Sequence, residues 1–197
     1  GPPKTRPAVP ATDRIPGLVE TAWLAERLGG SDVRIIDVRP QPEYNTSHIP
    51  GSVCLNPESF RGVVGGVSSM LLPSDVLARH LSLMGIQPTD TIVVVPGGAI
   101  RDATLVGLGL ERLGHANWAI LQGGFAKWSA ETRPLDAALP GIEPSDYPVS
   151  AGPDAFTLDY QAVRGRVGDQ SIVIVDTRPA INFRGEESDE PRAGHIP

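Results

Sequence analysis

Cysteine is almost absent from this 197-residue chain, which holds Cys54 and no other. One thiol excludes an internal disulfide and any zinc or iron–sulfur site built from several cysteines. Aromatic residues are scarce at 5%. No apolar run approaches the ~18 residues that a membrane-crossing helix requires. An excess of positive charge is also missing. Seventeen Lys and Arg against 23 Asp and Glu leave a formal charge of −6, whereas a nucleic-acid binder ordinarily carries a basic face. What remains is an ordinary globular composition, 40% hydrophobic and 20% charged. It suffices for one large domain, or for one domain and part of another.

The chain opens on Gly1 and not Met, which reads as a processed end. Residues 1–16 hold Pro2, Pro3, Pro7, Pro10 and Pro16 with little apolar surface, the composition of a flexible leader that leaves either a cytoplasmic or an exported location open. Folding signals begin at Leu18. Val19 to Leu28 reads as a helix closed by Gly29-Gly30, and Arg34 to Asp37 as a short strand. Ser74 is placed to cap a helix through Leu81, closed by Gly85. Thr91 to Val95 is β-branched throughout and bounded by Pro96-Gly97-Gly98, the pattern of a buried strand. A helix over Asp102 to Leu113, a strand at Ala119 to Leu121 and a short helix at Gly124 to Trp128 follow. Alternating strands and helices predict an α/β domain over residues 17–133, with a mainly parallel central sheet flanked by helices and any site on the loops after its strands.

Residues 134–153 are rich in proline and lack helical periodicity, so they read as a linker. Residues 154–197 then restart the pattern, with a helix within Leu158 to Val167 and a strand at Ser171 to Asp176. Asp37-Val38-Arg39-Pro40 recurs as Asp176-Thr177-Arg178-Pro179, and Ser47-His48-Ile49-Pro50 as Gly194-His195-Ile196-Pro197. The second pair of blocks lies eight residues further apart, an insertion within Arg184 to Arg192. Two ordered matches around such an insertion point to duplication, with the second copy incomplete.

Asp37-Val38-Arg39, Glu43-Tyr44, His48-Ile49-Pro50-Gly51 and Leu121-Gln122-Gly123-Gly124-Phe125-Ala126-Lys127-Trp128 resemble, in order and spacing, the rhodanese superfamily and its tandem-domain thiosulfate and 3-mercaptopyruvate sulfurtransferases. The resemblance implies a cysteine at the end of the fourth strand, opening a C-x-x-G-x-R loop. There backbone N–H groups and a helix N-terminus would stabilise a persulfide. It implies no cofactor and no metal. Its partners would be small sulfur-containing substrates, with the remainder of the second domain supplied by the same or another chain.

At that position stands Pro96, followed by Gly97-Gly98-Ala99-Ile100-Arg101. Arg101 matches the loop arginine and Ala99 replaces the usual glycine. Proline offers neither nucleophile nor N–H. The first unit is therefore expected to be silent in sulfur transfer, with a catalytic cysteine expected beyond residue 197. The alternative is an inactive rhodanese-like binding or scaffold module. A phosphatase on this fold would need a longer cysteine loop and is excluded by Pro96.

Gly97, Gly98 and Arg101 form a vestigial loop that could bind a small anion. Cys54 reads as a buried small hydrophobe. The resemblance gives Asp37, Arg39, His48, Gly123, Gly124 and Trp128 structural roles, inherited in the second unit by Asp176, Arg178 and His195. His80 and His115 carry no motif.

Overall fold

The computed structural model describes residues 15, 17–149, 157–188, 194 and 195. The expected leader lies outside the described residues except for Ile15, and so do residues 150–153 of the expected linker and 154–156 of the second unit. The chain divides into two compact units, residues 1–153 and 154–197.

The strands of the first unit are β1 (Leu18–Val19), β2 (Val33–Asp37), β3 (Val53–Cys54), β4 (Arg61–Val64), β5 (Val67–Leu71), β6 (Thr91–Val95) and β7 (Trp118–Leu121). Five of them form one parallel sheet in the order β1-β7-β6-β2-β3, while β4 and β5 pair as a separate antiparallel hairpin. The central pair is in continuous register, Val33 opposite Thr91 through Asp37 opposite Val95. Helices are α1 (Thr21–Ala25), α2 (Gln41–Thr46), α3 (Ser74–Leu83), α4 (Ile100–Leu113) and α5 (Gly124–Ala130).

Both faces of the sheet are covered, which explains why β6 is apolar without alternation. Ile36, Ile92, Val94 and Ile120 join Leu77, Leu81, Val106 and Leu110 of α3 and α4 in one core. Ile35, Val93, Val95, Ala119 and Leu121 join Leu24 and Trp128 in the other. Each such side chain contributes about 1.5–3 kcal/mol on burial.

Several boundaries differ from the sequence reading. Val19 belongs to a strand, because its backbone pairs with Leu121 of β7, and α1 starts only at Thr21. Ser74 is the first helical residue and not the cap; Pro73 occupies the cap position, so no side chain caps α3. The α4 helix begins two residues earlier than expected, at Ile100.

Residues 134–149 form no helix or strand, as their prolines dictate, but they do not leave the first unit. Asp136 bridges His48 through paired backbone hydrogen bonds of 2.8 and 2.9 Å, and Tyr147 is buried in the core.

In the second unit the helices are α6 (Tyr160–Arg164), capped by the Asp159 side chain, and α7 (Ala180–Phe183). The helix expected within Leu158 to Val167 thus forms over five residues, half of that span. The expected strand Ser171 to Asp176 does not form. A strand needs a paired neighbour, and the described residues of this unit supply none. Val173 and Val175 are consequently 85% and 72% exposed, where Ile35 and Ile36 of β2 are buried.

Candidate functional site

Parallel strands deliver their C-terminal ends to one edge, and the singled-out residues of the first unit gather there. Pro96 follows β6, Arg39 follows β2, Cys54 ends β3, and Gly123-Gly124 follows β7.

Pro96 is buried. Its carbonyl accepts from the Phe125 N–H at 3.2 Å. Gly124 has φ +58°, and a Cβ there would stand 2.4 Å from Pro96 O. Only glycine lets α5 start this close to the loop. Pro96 therefore seals the strand end with a ring that offers no sulfur and no donor. Beyond it Gly97 and Gly98 are exposed, and Ala99 leads into α4 without a side-chain cap. Arg101 lies in this helix's first turn but turns outward, 87% exposed, with Nε 3.8 Å from Asp102 Oδ1.

Asp37 and Arg39 form a buried clamp. The Arg39 Nε donates to both Asp37 oxygens at 3.0 Å, one terminal nitrogen donates to Oδ2 at 2.7 Å, and the same nitrogen donates to Ser47 O at 2.8 Å. The guanidinium lies 3.4 Å from the Phe125 ring centroid, an added cation–π contact. Gly97 packs on the arginine stem, where a Cβ would meet Cγ at 3.0 Å. The Nε and one terminal nitrogen of Arg39 are thus committed to Asp37 and the Ser47 carbonyl, so the pair organises the edge.

A cleft of about 440 Å³ lies along this edge, with Arg39, Gln41, Cys54, Glu58, Arg101 and Asp102 among its walls. Cys54 is half-buried and not enclosed, a correction to its reading as a buried hydrophobe. Its Sγ lies 3.7 Å from Arg39 O. Burial, then the Asp37 charge, push the thiol above its ordinary value against the pull of Arg39. It is a protonated thiol at neutral pH, the opposite of an activated nucleophile.

His48 is fully buried, stacked on Tyr44 at 4.0 Å, with Nδ1 2.8 Å from Tyr44 O and Nε2 3.2 Å from Ala138 O. Both ring nitrogens are occupied by backbone. Trp128 is fully buried and its indole N–H donates to Pro134 O at 2.8 Å. Gly123 has φ +77° at the cap of α5.

The second unit repeats the clamp. Arg178 Nε donates to the Asp176 oxygens at 3.0 and 3.1 Å and a terminal nitrogen to Oδ2 at 2.6 Å and to Gly194 O at 2.8 Å. His195 stacks on Phe183 at 4.0 Å, with Nδ1 2.9 Å from Phe183 O. Each contact matches its counterpart around Arg39, Ser47, His48 and Tyr44. The eight-residue insertion falls between Phe183 and His195. Ile196 and Pro197 lie outside the described residues.

His80 is half-buried, its Nδ1 2.9 Å from Val76 O. His115, which no motif marked, is buried against Tyr147 of the supposed linker, the contact that sequence reasoning missed. A tyrosine inside a proline-rich segment was its one signal. Among the described residues no group of three or more His, Cys, Asp or Glu is placed to hold a metal ion, and no helix is long and apolar enough to cross a membrane.

A parallel α/β sheet bearing an Asp-x-Arg clamp, a His-Ile-Pro-Gly turn and a glycine-opened α5 defines the class. Residues 20–131 match the rhodanese-like domain, and the chain belongs to that family. A protein of Synechococcus elongatus is 32% identical over 193 residues, which is 97% of this chain and 59% of that protein. The thiosulfate sulfurtransferase of Azotobacter vinelandii is 29% identical over 188 residues, 93% of this chain and 67% of that enzyme. The crystal structure of the 3-mercaptopyruvate sulfotransferase SseA from Escherichia coli superposes with a TM-score of 0.81 at 26% identity, covering 93% of this chain and 73% of that one. The chain thus spans about three-fifths to two-thirds of the length of these curated relatives.

Proposed function

We propose that these residues are the non-catalytic N-terminal portion of a tandem rhodanese-type sulfurtransferase. The whole protein would move sulfane sulfur from thiosulfate, or a similar donor, to a thiophilic acceptor. The observation that carries this reading is the second clamp. Asp176, Arg178 and His195 rebuild the contacts of Asp37, Arg39 and His48, and the similarity to thiosulfate sulfurtransferases runs through both units.

The chemistry belongs to a cysteine of the second unit, beyond residue 197. Its thiolate attacks the outer sulfur of thiosulfate, forming a persulfide and releasing sulfite. Cyanide or another thiophile then takes the outer sulfur and restores the thiolate. No cofactor takes part. Pro96 bars this sequence from the first unit, whose contribution is a folded partner for the second.

The 197-residue chain is expected to show no thiosulfate:cyanide turnover, measured as thiocyanate release. The chain extended through the second unit's strand-end loop is expected to turn over. Activity of the 197-residue chain at the level of an active rhodanese would overturn the assignment. Silence of the extended chain would favour the scaffold module, the reading that Pro96 alone also fits.

A further inference from the structure

The segment after Pro134 crosses the first unit as a strap. The Ser145 N–H donates to Ser82 O at 2.9 Å, and the Tyr147 N–H to Ser82 Oγ at 3.0 Å. It presses so closely on Gly85 that a Cβ there would stand 2.7 Å from Glu143 O. Asp146 and Pro148 are exposed, whereas Tyr147 between them is buried among the core residues of α3 and α4.

The Tyr147 hydroxyl lies 2.9 Å from His115 Nδ1, and His115 Nε2 lies 2.8 Å from Asp90 O. A carbonyl can only accept, so Nε2 carries the proton and donates. His115 is 2% exposed, and burial pushes its protonation below the usual histidine range. The imidazole is therefore neutral, and its Nδ1 lone pair accepts from the tyrosine hydroxyl.

The other groups facing this ring are already engaged. The Asp90 carboxylate takes the Gln87 N–H at 2.7 Å and Arg34 Nε at 3.2 Å. Glu111 takes the Trp118 indole N–H at 2.8 Å. The Asn117 carbonyl takes the Ile92 N–H at 3.0 Å. A second proton on His115 would set a charge in a site sealed from solvent and point Nδ1–H at the hydroxyl that now donates to it. Of the segments packed on His115, β6 and α4 are held by their own backbone hydrogen bonds, whereas the strap around Tyr147 forms no helix or strand.

We propose that His115 and Tyr147 form an acid-released latch that holds the strap against the core of the first unit. Above the histidine range the latch is closed. On acidification the hydroxyl contact breaks, Tyr147 leaves its socket, and water reaches the imidazolium.

Amide hydrogen exchange on the whole 197-residue chain tests this, with rates corrected for their intrinsic pH dependence. Between pH 7.5 and 5.0 the protection of the Ser145 and Tyr147 amides is expected to fall by about tenfold or more, the equivalent of one pKa unit. Protection at Ile92 to Val95 should hold. Tyr147→Phe is expected to lower strap protection at pH 7.5 and to lose little more on acidification, and His115→Gln to remove the pH dependence. Equal strap protection at both pH values would overturn the latch, as would a parallel loss at Ile92 to Val95. If His115→Gln does not fold, Tyr147→Phe decides: an acid loss as large as that of the unaltered chain rejects the proposal.

Discussion

Asp37–Arg39 and Asp176–Arg178 are one pair in two surroundings, and burial decides what each is worth. The side chains of Arg39 and Asp37 are 4% and 0% exposed, those of Arg178 and Asp176 39% and 22%. Truncating one partner of a buried pair strands the other charge, at a cost of about 3–5 kcal/mol. Arg39→Ala should therefore lower the unfolding free energy of the first unit by about 3–5 kcal/mol in denaturant titration; a loss below about 1 kcal/mol would mean that Asp37 finds water or another donor. Arg178→Gln should leave that transition unmoved. Its readout is the carboxylate itself. The Arg178 hydrogen bonds hold Asp176 down to about 2, so the pair favours the folded form above the ordinary carboxylate range and loses that advantage as pH falls toward 2. Carbon-detected titration should show Asp176 near that value, and Arg178→Gln should return it toward the ordinary one.

The elements show what local sequence could and could not reveal. The β6 strand was legible because five β-branched residues bounded by Pro96-Gly97-Gly98 leave little else for the backbone to do. The hairpin went unread, although Val63-Val64-Gly65-Gly66-Val67 carries its signal. Gly65 and Gly66 take φ of +58° and +82° between paired Val64 and Val67, the two-residue turn that suits glycine. Helix α2 was less visible, since it is six residues long and contains Pro42. The strap was hidden because proline content records missing hydrogen-bond donors and not which surface a segment lies on. Within α4 the glycines mark close approach. A Cβ on Gly109 would meet the buried Phe60 ring at 2.6 Å, and one on Gly107 the Trp118 ring at 2.1 Å. Gly109→Ala gains about 1 kcal/mol in helix propensity, but overpacking a rigid ring costs about 1–3 kcal/mol. A net loss of about 1 kcal/mol is expected in thermal or denaturant unfolding, and a gain would show that Phe60 can move aside.

At the scale of the whole molecule, the two units reach the same motif geometry with unequal cohesion. The first has two apolar layers around a five-stranded sheet. In the second, clamp, stacked histidine and capped turn all form from contacts close in sequence, while Ile172 to Val175 has no strand beside it among the described residues and stays exposed. Asp176, Arg178 and His195 were legible as a repeat of Asp37, Arg39 and His48, and the contacts they make lie within one local loop. The strand at Ser171 to Asp176 was not, because pairing depends on neighbours distant in the chain, as β2 depends on β6. Cooperative stability should then reside in residues 1–153. The 1–153 chain is expected to unfold within about 2 °C of the 197-residue chain, since loss of about 1 kcal/mol would move the midpoint by about 2–4 °C. In the longer chain, the amides of Ile172 to Val175 should exchange at close to unprotected rates while those of Ile92 to Val95 persist to global unfolding. A midpoint lowered by more than about 8 °C on truncation, together with strong protection at Ile172 to Val175, would show that this segment has found a strand to pair with, in its own chain or in a second copy.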